Sequence, residues 1–293
     1  MRVEQIAGRG RLLTFDDDIS LYLISGSRFH LLCDTHLGSA SMDQVMQLLV
    51  ADPGFRQLVL FNSHADWDHI WGNGAFDNPV IIGHEQCRVR MQERGIFDLN
   101  LNAHLQRGKV VLTPPNLTFS ERLTFDDEAI AIRHAPGHTE DSSVCYDLQD
   151  QVLYLGDLVE DPIPYLDAAD LDQYITTLTS LLDHPARILV SAHSGLVNRD
   201  LIRQNITYIK GMMSGTPFIP ADFGSYEPVH RWNQNMQIVH QYSRIARERF
   251  GDMFSYVDLL MQAGDLHEQD PEHLISVLTR YLSLLIPVNE GLQ

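Results

Sequence analysis

Between Phe61 and Gly74 the chain reads FNSHADWDHIWGNG, directly behind the apolar run RQLVLF. His64, Asp66, Asp68 and His69 thus crowd four potential metal ligands into six residues, where a strand ends. Residues two apart in an extended segment point the same way, so His64, Asp66 and Asp68 converge on one side and His69 follows where the chain turns toward a helix. From these six residues alone a solvated loop with capping aspartates would read the same. Three later positions shift the balance. His138 stands in APGHTEDSS after AIAIRHA, Asp157 in VLYLGDLVED, and His193 in ILVSAHSG, each at the end of a predicted strand. A lone His or Asp at a strand end is usually structural, but this succession points to a metal site.

The rest of the chain supplies a scaffold for it. ISLYLISGSRFHLLCDT reads as a hairpin around a Gly-Ser turn, and SMDQVMQLLV places Met42, Val45, Met46 and Leu49 at helical spacing. NPVIIGH is a strand, HEQCRVRMQERG a helix stopping near Gly95, and residues 97–117 lack periodicity. ERLTFDD, AIAIRHAP, SVCYD and VLYLGD follow as strands, with LQDQ as a hairpin turn. Leu171, Ile175, Leu178 and Leu182 mark one helix face, ARILVSAHSG returns to a strand, and NRDLIRQNITYIKGMM is an amphipathic helix. Two strand-rich halves, each with helices, predict an α/β (α+β) sandwich of two face-to-face sheets with helices outside.

Near Ser214 the composition changes: SGTPFIPADFGSYEP has linker character and the remainder reads as helices. Leu274, Val277, Leu278, Tyr281 and Leu285 form a stripe, with Asp270 as N-cap before Pro271. We therefore expect a domain over residues 1–213 and a helical extension over 214–293. The stripe suits a homodimer interface or intramolecular docking equally well.

Composition bounds the partners. The 293 residues carry a net charge of −18, so a phosphate-rich partner is repelled at long range and nucleic acid is not expected. Three scattered cysteines fit reduced thiols in the cytoplasm. No export signal or membrane span is expected, because no apolar run approaches ~18 residues.

The ordered motif resembles the metallo-β-lactamase fold superfamily, whose signature is H-x-H-x-D-H, a His in a P-G-H loop, an Asp after an apolar strand, and a late His. The resemblance covers roughly Ile19 to Met213, including DTHLG where the family often has D-T-G. It implies a four-layer αββα sandwich. It also implies that His64 and His138 bind one metal, that Asp68, His69 and His193 bind a second, and that Asp157 bridges them; Asp68 and Asp157 are the carboxylates expected to take part in the reaction. Asp66 departs from the pattern, standing where the family has its second His. It either ligates the first metal or hydrogen-bonds a ligating histidine from outside; we adopt ligation. Three carboxylates and four imidazoles form a harder donor set than a histidine-only site, so zinc is expected with iron or manganese as alternatives. The flavodiiron branch is similar in placing a Glu at this position.

Two cations bridged by Asp157 and solvent would lower the pKa of that water and polarise a carbonyl or phosphoryl oxygen. The expected function is a dinuclear metal-dependent hydrolase using metal-bound hydroxide on a small ester, thioester, lactone or phosphodiester. The alternatives are a non-haem di-iron protein that binds or reduces O2 or NO, against which stands the lack of a C-x-x-C pair, and a low-turnover metal-containing binding protein. Structural roles are expected for His36, His84, His134, Trp67 and Trp71. Asp34 is balanced between turn chemistry and orienting a ligand. Tyr226, His230 and Trp232 are candidates to reach back over the site, with surface packing as the default.

Overall fold

A computed structural model describes residues 1–16, 18–51, 54, 56–216 and 226–285, without the side chain of residue 252. The first sheet contains β1 (Arg2–Ile6), β2 (Gly10–Phe15), β3 (Ile19–Ser25), β4 (Phe29–Cys33), β5 (Gln57–Phe61), β6 (Val80–His84) and β7 (Leu117–Phe119), hydrogen-bonded in that order. The first four strands pair antiparallel; β4 to β7 run parallel, which requires the crossovers that carry α1 (Ser39–Val50), α2 (Trp67–Ile70) and α3 (Glu85–Leu101). The second sheet runs β13-β12-β11-β10-β9-β8, built from β8 (Arg122–Phe125), β9 (Ile130–His134), β10 (Ser143–Asp147), β11 (Val152–Tyr154), β12 (Ile188–Ser191) and β13 (Gly195–Val197). Its β11/β12 pair is parallel, with α4 (Leu171–Leu182) in the crossover; α5 (Arg199–Ser214) follows β13.

Alternation along the strands sorts the layers. In β3, Tyr22 and Ile24 face inward with Cys33, Phe61, Cys145 and Tyr154, whereas Leu21 and Leu23 face outward onto Met42, Val45 and Leu49 of α1 and Met91 of α3. In β11, Val152 and Tyr154 join the same inner core while Leu153 packs outward with Tyr174, Leu178 and Ile202 on α4 and α5. The result is the expected αββα sandwich.

Several elements differ from the sequence reading. The strands β1 and β2 extend the first sheet beyond the hairpin. In β1 the first four residues are exposed, so it lacks the apolar alternation that marks a strand. The helix α3 continues past Gly95 to Leu101. A Cβ at Gly95 would lie 3.1 Å from Leu112 Cδ1, so the glycine serves close packing of the returning segment rather than helix termination. Glycine within a helix costs about 1 kcal/mol relative to alanine, yet an alanine here would have to displace Leu112 by a few tenths of an ångström.

The C-terminal residues form α6 (Glu227–Phe250), α7 (Tyr256–Ala263) and α8 (Pro271–Leu284). Asp270 caps α8 by accepting from the Glu272 and His273 amides. The Leu274 and Leu278 positions of the stripe bury against Met236 and Val239 of α6 and Leu259 of α7. Most of the expected linker, 217–225, lies outside the described residues. Among the described residues no helix is long and apolar enough to cross a membrane.

Candidate metal centre

All seven ligand candidates lie at the carboxyl ends of strands along one edge of the sandwich: His64, Asp66, Asp68 and His69 after β5, His138 after β9, Asp157 after β11 and His193 after β12. The structure brings them into two adjoining groups. In the first, Asp66 Oδ2 lies 3.5 Å from His64 Nε2 and 3.2 Å from His138 Nε2. In the second, Asp68 Oδ2 lies 3.7 Å from His69 Nε2 and 3.2 Å from His193 Nε2. Asp157 Oδ2 sits between them, at 3.6 Å from His64, 3.1 Å from His69, 3.3 Å from His193 and 3.9 Å from His138. Both triads, and His64, His69 and Asp157 together, offer atoms close enough to share one ion.

The backs of the rings are held from outside. Asp34 Oδ2 accepts from His69 Nδ1 at 2.8 Å, from Ser63 Oγ at 2.7 Å and from Tyr154 Oη at 2.7 Å. Because the Ser63 hydroxyl gives its proton to Asp34, it accepts from His64 Nδ1 at 2.9 Å, which leaves the His64 Nε2 lone pair facing inward. His138 Nδ1 donates to the Tyr165 carbonyl at 3.1 Å, and His193 Nδ1 lies 3.5 Å from Asp18. Asp34 thus takes the orienting role rather than a turn role, and it does so with φ at 66°, in the left-handed region. At Gly156 (φ 55°) a Cβ would stand 2.7 Å from Ser63 Oγ, so the residue before Asp157 has no room for a side chain.

Asp66 occupies the N-cap position of α2, yet its carboxylate makes no capping bond to that helix. It turns instead to His138 and to Arg90, whose Nη2 donates to Asp66 Oδ1 at 3.0 Å. The capping alternative therefore does not describe this residue.

The electrostatics favour positive charge in the space between these groups. Burial opposes ionisation of His69, His193 and His138, but the facing carboxylates outweigh it: His69 and His193 lie well above the usual histidine range, and His138 is pushed up to about 10 by its hydrogen bond to Asp66 and the charges of Asp157 and Asp66. Burial works against Asp157 and Asp66 as well, yet the neighbouring imidazoles hold both well below the carboxylate range. Within this cluster His64 Nε2 and Asp157 Oδ1 are buried without a hydrogen-bond partner. Leaving such atoms unengaged is costly, and a nitrogen lone pair beside carboxylate oxygens is the donor set a divalent cation takes. The residues therefore fit a metal.

Sequence reasoning missed Arg90, Ser63, Tyr154, Tyr165 and Asp18. His36 is structural, stacked on Phe15 and paired with Ser41 Oγ at 2.6 Å. His84 and His134 stack on one another with centroids 3.8 Å apart and bind the Ser120 and Glu140 carbonyls. Trp71 is buried in the outer core with Trp67 packed beside it. Of the C-terminal candidates, Trp232 meets the Tyr165 ring edge-on at 5.0 Å, and His230 bonds Tyr208.

A sandwich of this topology with a His/Asp centre at its edge defines a class of metal-dependent hydrolases. The family model of the metallo-beta-lactamase superfamily matches residues 15–193, and the chain belongs to that superfamily. Its fold implies divalent metal ions. Among curated proteins, the acyl-coenzyme A thioesterase MBLAC2 of Gallus gallus is 23% identical over 191 residues, 58% of this chain and 69% of that protein. The putative transcription factor avaE of Aspergillus versicolor is 28% identical over 154 residues, 48% of this chain and 45% of that protein. A metallo-beta-lactamase from Pontibacter korlensis shares the fold with a TM-score of 0.56 at 19% identity, over 71% of this chain and 98% of that one.

Proposed function

We propose that the chain is a dinuclear metallohydrolase acting on a small acyl ester or thioester. His64, Asp66 and His138 would hold one divalent ion, Asp68, His69 and His193 the other, and Asp157 would touch both. The observation that carries this reading is the position of Asp157 Oδ2, within 3.1–3.9 Å of one imidazole nitrogen from each of His69, His193, His64 and His138. The thioesterase name of the MBLAC2 relative supports acyl transfer to water as the reaction and a thioester as the first substrate to try. Zinc is the ion proposed, with manganese or iron admitted by the three carboxylates.

When bound, such ions acidify water and polarise a carbonyl oxygen. The chain's own part is to fix geometry and to handle protons. Asp34, Ser63 and the Tyr165 carbonyl keep the imidazole Nε2 atoms inward, and Asp68 and Asp157 are the carboxylates able to hold a proton released from the attacking water. Residues 214–293 would act as a unit that shapes the acyl site, since Trp232 and His267 pack on Tyr165, whose carbonyl holds His138. Buried free Cys33, Cys87 and Cys145 suit a reducing cytoplasm.

The test is elemental analysis of protein purified without added metal, together with thiol release from acyl-coenzyme A substrates. Near two metals per chain, falling toward one in Asp66→Ala with loss of turnover, is expected. One metal or none in the wild type, unchanged by Asp66→Ala, would overturn the dinuclear reading. Absorbance bleached by reduction and restored by air would direct it to the di-iron chemistry that a carboxylate at position 66 admits.

A further inference from the structure

An aspartate placed where a histidine is usual raises two physical problems. A neutral imidazole offers one inward nitrogen while its other nitrogen is fixed behind; a carboxylate has two equivalent oxygens and brings a full negative charge. Every imidazole in the centre is braced from behind, by Ser63, Asp34, the Tyr165 carbonyl or Asp18. For Asp66 the corresponding partner is Arg90, on α3. Its Nη2 takes Asp66 Oδ1 at 3.0 Å, which leaves Oδ2 alone toward His64 and His138.

Arg90 is itself held rigidly. The same Nη2 donates to Asp167 Oδ2 at 2.9 Å, and Nε lies 3.2 Å from Asp141 Oδ1, where the two carboxylate side chains are 6% and 0% exposed. Arg94, one helical turn on, shares Asp167 at 3.6 Å and Asp98 at 3.4 Å. A guanidinium stays charged throughout the accessible pH range and its planar fork sets direction as well as charge, which an ammonium does not.

We propose that Arg90 is a positioning residue of the metal centre: by binding Asp66 Oδ1, it makes the aspartate a one-oxygen ligand in the place of an imidazole. This rests on the reading of Asp66 as a ligand. The competing account is that Arg90 only compensates buried Asp141 and Asp167, and the two accounts separate in a double-variant experiment. Competition titrations with Zn2+ and a chromophoric chelator, with Co2+ absorption spectra as a second readout, are made on wild type, Arg90→Gln, Asp66→His and the double variant Asp66→His/Arg90→Gln. Circular dichroism checks folding.

The expected result is two tight ions in wild type, the first-side ion weakened about 10–100-fold in Arg90→Gln, the range typical for removing a ligand's outer partner. Asp66→His should keep two ions, and adding Arg90→Gln to it should change little, because an imidazole there needs no guanidinium. Equal weakening in both backgrounds, or none in wild type, would overturn the proposal while leaving the dinuclear reading intact. Fewer than two ions in wild type would overturn both, and is visible before any Arg90 variant is examined. Should Arg90→Gln not fold, Arg90→Lys serves: it keeps the charge but loses the fork, so a merely compensating role predicts unchanged ion binding and the positioning role predicts weakening.

Discussion

The two groups of candidate ligands use similar atoms but are held in part by different regions of the molecule. The Asp68, His69 and His193 side is braced from inside the sandwich: Asp34 takes His69 Nδ1, the Ser63 amide and hydroxyl, and Tyr154 Oη, all within 2.8 Å. The His64, Asp66 and His138 side depends on the segment between β11 and α4, which supplies the Tyr165 carbonyl to His138 and Asp167 to Arg90. That segment is in turn pinned by α6, through Asn233 to Leu166 and Pro164, Gln237 to Leu166, and His240 to Asp167. The β core thus holds His69 directly and His64 through Ser63, whereas His138 and Arg90 depend on the contact between core and C-terminal helices.

The largest effect should come from the core side. Asp34→Ala leaves two donors of Ser63, the Tyr154 hydroxyl and His69 without their acceptor in a fully buried place, so unfolding in urea should show a loss of about 3–5 kcal/mol. Metal binding should weaken with it, most on the Asp68, His69 and His193 side and less at His64, which Asp34 reaches only through Ser63. If both ions stay bound with wild-type affinity, the core-braced side is not what it is described to be.

A smaller and more selective loss is expected from Asn233→Ala. Asn233 is fully buried and joins Leu166, Pro164 and the Tyr208 hydroxyl, so its removal should cost about 1–3 kcal/mol. In metal titrations the first side should weaken about tenfold while the second holds. Equal weakening of the two would erase the distinction between them.

The effect expected to be smallest near neutral pH is a pH signature of the core side, which grows only as the solution is acidified. Burial pushes His36 down to about 4, although nearby carboxylates oppose this. Because its folded value lies below the unfolded one, the unfolded chain binds the extra proton between the two. The stabilisation is thus complete above about pH 6.5 and is lost as pH falls through 4, amounting to about 3 kcal/mol at most. His36→Asn, which tolerates the residue's φ of 55°, should flatten that slope in chemical unfolding measured from pH 7 to pH 4. A slope unchanged by the substitution would assign it to other groups.

The same division explains what could be read beforehand. The clustering of the seven candidate positions is legible because each lies in the connection that follows a short apolar strand, where a strand end both fixes and exposes a side chain. Asp34 was half legible for the same reason. Arg90 was not: it sits on a helix whose face looks merely charged, and its partners lie 24 and 77 residues away. Tyr165 contributes a main-chain oxygen, which carries no residue signature at all. The strand β1 carries no apolar signal because its side chains are mostly exposed, and Gly95 reads as a helix stop although it is a packing contact within α3.

The pinning of the β11–α4 segment by α6 also sets an order of assembly during synthesis. Residues that brace the Asp68, His69 and His193 side have all emerged by the end of β12, whereas Asn233, Gln237 and His240 follow some forty residues later. Domains generally fold from the amino end as they are made. On the dinuclear reading proposed above, a nascent chain would therefore complete one group of ligands before the other could close, and an ion met early would have a single berth to enter.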